Sequence, residues 1–104
     1  MPTSTAEKRH FRRIGHSLKP IVSFGGKGLT TAFLEELNRA LEDHELVKLK
    51  VHCENRDDRK AIISAVIEET PCELIQSIGN IALLYRPAKR PNPKLSNLLR
   101  YNND

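Results

Sequence analysis

Gly25, Gly26, Lys27 and Gly28 are the residues whose types and spacing could do chemistry. They form a G-x-x-G loop between an apolar run and a segment with helical periodicity. Three properties suit such a loop to an anion. It sits just before a helix start, where free N–H groups and the helix dipole favour negative charge. Glycines let the backbone approach a phosphate with no side chain in the way. Lys27 places a flexible positive charge at the tip. A strand-to-helix turn that needs positive φ would use the same glycines, so a turn and a phosphate clamp both stay open. The nucleotide-binding patterns G-x-x-x-x-G-K-[ST] and G-x-G-x-x-G are not completed. The KH module carries its GXXG loop between two helices, whereas this one joins a strand to a helix.

No constellation for catalysis accompanies the loop. Asp57 and Asp58 are adjacent, so their side chains diverge, and they read as a helix cap. Glu35/Glu36 and Glu68/Glu69 read as helix-surface pairs. His10, His16, His44 and His52 lack metal-ligand spacing, and His52 and Cys53 on a strand point to opposite faces. Ser23, Ser64 and Ser77 have no glycine elbow. Cys53 and Cys72 form no C-x-x-C, and a structural zinc needs four ligands. They are expected to be free thiols in a reducing cytoplasm. Neither a metal, a cofactor nor an enzymatic activity is expected. Aromatic residues make up 5% with no Trp, which argues against multi-base aromatic stacking; Tyr85 reads as a core-edge residue.

The elements that must position the loop are legible from periodicity and punctuation. Ser4 and Glu7 make an S-x-x-E capping pattern ahead of a helix over 5–16 with a basic back of Lys8, Arg9, Arg12 and Arg13. Pro20 forbids its continuation, and residues 20–24 (PIVSF) read as a first strand. Thr30 is a good N-cap for a helix over 31–43 with a stripe of Leu34, Leu37 and Leu41. Residues 46–52 alternate, with Val47, Leu49 and Val51 on one face and Lys48, Lys50 and His52 on the other. A third helix is expected over 58–69, ended by Pro71. ELIQSI and IALLYR, joined by Gly79-Asn80, predict a hairpin. Beyond Pro87 the pattern fails, and the chain reads as a basic, prolyl tail with a short helix near Leu95–Tyr101. The order α-β-α-β-α-β-β predicts an α/β domain with a mixed four-stranded sheet packed with helices. The expected division is a domain over 1–88 and a tail over 89–104.

The chain has 104 residues and a net charge of +4, a length that predicts one domain. Residues 1–30 carry +5, residues 31–80 carry −5 and residues 81–104 carry +4. If the two basic ends converge they make a positive patch, which attracts polyanions. No apolar run reaches the roughly 20 residues of a membrane helix, and the first residues lack the apolar segment of a secretion signal. No membrane association is expected.

LKPIVSFGGKGLT, then ALEDHELVKLKV, then a closing IGNIALLYRP, together resemble the CRM domain (chloroplast RNA splicing and ribosome maturation), most of all its free-standing bacterial, YhbY-like form. The resemblance covers residues 5–88. It implies an RNA-binding α/β domain similar to the C-terminal domain of a bacterial translation initiation factor, with the G-x-x-G loop on a basic, RNA-facing surface. Bacterial members associate with precursors of the large ribosomal subunit. Carried over by residue, Gly25 and Gly28 match the loop glycines, with Gly26 and Lys27 in its variable centre. Lys19 matches the Lys-Pro before the first strand, Lys48 and Lys50 the basic residues of the second, and Arg86 the closing arginine. Arg12 and Arg13 on the first helix, with Lys89 and Arg90 after Arg86, would complete the positive face. The implied protein is a monomeric, non-catalytic factor for RNA, with ribosomal proteins as further partners. The alternative is a protein-interaction module whose acidic helices bind a basic ribosomal protein.

Overall fold

The computed structural model describes residues 3–100. Its first helix, α1 (Thr5–Gly15), opens on a complete capping box: Ser4 Oγ accepts from Glu7 N–H, and the Glu7 carboxylate accepts from Ser4 N–H. The chain then runs through β1 (Val22–Phe24), α2 (Thr31–His44), β2 (Leu46–Val51), α3 (Arg56–Glu69), the hairpin β3 (Glu73–Ile78) and β4 (Ile81–Tyr85), and α4 (Asn97–Arg100). Thr30 caps α2 through its hydroxyl, which accepts from Phe33 N–H. The cap of α3 is Asn55, which accepts from both Asp57 and Asp58 N–H. The helix therefore starts two residues earlier than the sequence suggests. The two aspartates are not the cap: they lie in the first turn, where the dipole favours their charge.

The sheet order is β1-β2-β4-β3. β1 lies parallel to β2, with Ser23 opposite Lys50. β2 runs antiparallel to β4, and β4 to β3. Gly79 takes φ +55 at the first central position of the hairpin turn, a conformation that glycine adopts without steric cost. Val51 N–H donates to Asn80 O and ties that turn to β2.

The period-2 alternation divides the core between the two faces of the sheet. Val22, Phe24, Val47, Leu49, Val51, Ala82 and Leu84 meet Phe33, Leu37 and Leu41 of α2 and Ile63 and Val66 of α3. On the other face Leu46, Ile75 and Leu83 meet Phe11 and Ile14 of α1, with Leu98 of α4 at the border. Gly15 allows α1 to lie close to β4: a Cβ there would stand 2.6 Å from a Leu83 methyl. Tyr85 packs its ring on Phe11, with centroids 4.6 Å apart, so it borders this second core.

The segment after Pro87 folds back. Glu45, buried and at φ +62 in the α2–β2 connection, receives it with both carboxylate oxygens: Ala88 N–H donates to one at 2.9 Å and Ser96 O–H to the other at 2.7 Å. Asn97 donates to Leu46 O, and His44 Nδ1 lies 2.8 Å from Leu95 O. α4 forms where a short helix is expected; Tyr101, in the same expected helix, lies outside the described residues.

Candidate functional site

The G-x-x-G loop closes as a β-turn, with Gly28 N–H donating to Gly25 O and Thr30 N–H to Gly28 O. It is anchored from behind by His52 N–H, which donates to Phe24 O. Gly28 has φ +76 and needs to be glycine. Gly25 and Gly26 are different. Neither lies in the left-handed region, and a Cβ on either would meet nothing within 4 Å. The turn therefore explains one of the three glycines and leaves the other two unexplained by folding. Among the described residues, the N–H groups of Gly26 and Lys27 donate to no other group, and Lys27 enters no ion pair. The loop borders an open depression of about 270 Å³ that also touches Ser23, Thr30 and Glu36. Free amides, one exposed, unpaired cation and a helix start thus share one wall of an exposed hollow. Glu36 is the single carboxylate there.

Ser23 links this hollow to the sheet. Its side chain shares a face with Lys50, its neighbour in the pairing, and with Lys48 two residues earlier. Both lysines stand on the α1 side of the sheet, Lys50 exposed and Lys48 half-buried. Neither enters an ion pair among the described residues. Arg12 and Arg13 occupy the last turn of α1. That helix ends at Gly15 and His16, which border a cavity together with Lys48. The structure therefore places Lys48, Lys50 and the C-terminal turn of α1 on one sheet face, with the loop at the end of the neighbouring strand β1.

The other sequence-selected residues lie elsewhere. Arg86 follows Tyr85 at the far end of β4, and that five-residue strand spans about 17 Å. Its guanidinium is engaged on α2, donating to Asn38 Oδ1 at 2.7 Å and Asn38 O at 3.0 Å, with Glu42 at 3.6 Å. Lys89 and Arg90 are exposed beyond it. Lys19 borders a second hollow that Lys48 also lines, together with His44 and Asn97. The basic ends do approach each other, through α1 and α4, but Arg86, Lys89 and Arg90 belong to the end of the sheet away from the loop.

Near that far end the ordinary ionisation of Cys72 and Tyr85 is shifted upward. Burial pushes the Cys72 thiol up to about 11, against the opposing pull of the Arg86 charge. Burial and the nearby Glu45, Glu7 and Glu73 carboxylates raise Tyr85. Both groups are therefore neutral near pH 7. Cys53 and Cys72 are free thiols. Among the described residues no cluster of three or more His, Cys, Asp or Glu could hold a metal, and no helix is long and apolar enough to cross a membrane.

Residues 4–86 match the family model of the CRS1/YhbY (CRM) domain. The chain belongs to that family. A probable RNA-binding protein of Pseudomonas aeruginosa is 44% identical over 97% of this chain and 97% of its own length. An RNA-binding protein of Haemophilus influenzae is 40% identical over 88% of this chain and 93% of its own. The solution structure of a Staphylococcus aureus protein, described as a candidate RNA binder, superposes with a TM-score of 0.74 at 30% identity, covering 91% of this chain and 98% of that one. The CRM domain therefore accounts for the mixed four-stranded sheet and its helices.

Proposed function

We propose that this CRM protein is a non-catalytic RNA-binding factor, acting as a cytoplasmic monomer on precursor RNA of the large ribosomal subunit during assembly. The observation that carries this reading is the pair Gly25-Gly26. Two glycines that the fold does not need stand beside two free amides and an unpaired lysine. Leaving Cβ atoms out is useful where a backbone must come close to another backbone, and a phosphodiester chain is the polyanion that fits. Lys48 and Lys50 lie next in line, and Arg12 and Arg13 follow on α1. The names of the relatives support RNA as the polymer. Lys19 shares a hollow with Lys48 and can extend this path, whereas Arg86, Lys89 and Arg90 contribute less in this reading, because they follow the far end of β4 and Arg86 is already engaged.

The test is affinity for a large-subunit RNA fragment against salt, with matched duplex DNA as control, for wild type and the double variant Gly26→Asp/Lys27→Asp. The variant is expected to lose about ten-fold or more, since it removes one phosphate partner and adds two carboxylates, while its unfolding transition stays in place. Equal affinity of the two proteins would remove the loop from the site. Equal binding of RNA and DNA would leave only unspecific charge. RNA-independent association with ribosomal particles would favour the acidic helices and a basic protein partner.

A further inference from the structure

α1 covers only part of its sheet face. It crosses over Leu83, where Gly15 lets it touch β4, and ends there. The next row of the sheet toward the loop is Ile78 opposite Ile81, and Ile81 opposite Lys50. Among the described residues, no helix lies over that row. Ile78 is 64% exposed, more than any other large apolar side chain of the described residues, and Ile81 is half-buried. The two flank an open cavity of about 260 Å³ bordered by His16, Lys48 and Gln76. Its floor is apolar and its charged border is cationic, with no carboxylate lining it. Ser23, beside Lys50 in the sheet, connects this surface to the hollow of the G-x-x-G loop.

We propose that this uncovered half of the sheet is a shelf for unpaired RNA bases, next to the phosphate clamp. The inference rests on the RNA-binding reading above and adds a second subsite to it. A nucleotide strand held at Lys27 and running across Ser23 brings its next phosphates to Lys50 and Lys48. Its bases then lie over Ile78 and Ile81, which offer flat aliphatic surface to a base face. The Gln76 amide can both donate to and accept from a base edge. A duplex keeps its base faces stacked inside, so the shelf selects single-stranded or bulged segments. An apolar protein partner would have no use for the lysine border, and an acidic one no use for the isoleucine floor.

Two measurements test the shelf. The first compares wild-type affinity for a single-stranded RNA of about twelve nucleotides with that for an abasic strand of the same length and charge. The second compares wild type with Ile78→Ser on the base-containing strand and on duplex RNA, thermal unfolding confirming the fold. Ile78→Ser is expected to weaken single-strand binding about five-fold, the effect of losing roughly half an isoleucine's burial. The salt slope and duplex affinity stay unchanged, and the abasic strand binds both proteins equally and weakly. If the abasic strand binds wild type as well as the normal one, the shelf is wrong even where the variant is unstable. If Gly26→Asp/Lys27→Asp weakens binding and Ile78→Ser does not, the shelf falls while the clamp stands. If wild type binds no RNA, both fall together.

Discussion

Gly25, Gly26 and Gly28 look alike in the sequence and have different duties in the structure. Gly28 holds φ +76, so Gly28→Ala is expected to cost about 1 kcal/mol in urea unfolding. Gly25→Ala and Gly26→Ala, with open space around them, should stay within about 0.5 kcal/mol of wild type and act on RNA affinity instead. A large stability loss at Gly26 would return both residues to the turn. Cys72 carries a prediction in pH. Its folded thiol titrates at about 11 against an unfolded value of 9.0. Stability attached to this group is therefore fully present below pH 9, where both states hold the proton. It is lost as the pH rises through 11, because only the unfolded thiol ionises easily. Alkylation of Cys72, followed by mass spectrometry, should be slow at pH 8 beside a free-cysteine peptide and climb toward pH 11. A rate equal to the peptide's would contradict its burial.

Among the elements, the returning C-terminal segment is held at two points by one side chain. Glu45 accepts Ser96 O–H and Ala88 N–H at once, and Ser96 is fully buried. Glu45→Ala would leave that hydroxyl without its partner and is expected to cost about 2–3 kcal/mol. Trypsin should then cut faster after Lys89 and Lys94 (the Arg90–Pro91 bond resists it), and an unchanged digestion rate would show that the segment docks by other means. Here too the limits of sequence reading are plain. Ser4, Thr30 and Gly79-Asn80 are local signals, each acting within a few residues, and the elements they punctuate form where periodicity puts them. Ser96 and Asn97 give no such signal. Polar residues among prolines suggest a free tail, and their partners, Glu45 and Leu46, lie 51 residues away. The Asn55 cap was readable in principle, since asparagine caps as well as aspartate and the two acids after it suit a first turn.

For the whole molecule, the sheet separates two basic regions that the sequence treats as one. Charge counted along the chain shows positive ends around an acidic middle, but not where those ends arrive. The strand pairing decides that. Lys50 joins Ser23 and the loop at one end of the sheet, while Arg86 leaves from the other. The alternation of Val47, Leu49 and Val51 with Lys48 and Lys50 made the two faces of β2 readable. How far α1 extends over the lysine face was not readable, because that follows from its close contact at Gly15.

One irregularity of the hairpin bears on how the protein behaves in a crowd. β3 is an outer strand, and it carries exposed Leu74 and Ile78. A straight strand of that kind would offer a neighbour unpaired backbone groups and apolar side chains in register, the template from which aggregates grow. The register shift between Leu74 and Gln76 interrupts that template, because a bulged strand bends and twists away from a flat partner. Exposed apolar side chains and a broken edge thus occur on the same strand, so the surface that Ile78 leaves open does not come with a continuous edge to zip onto.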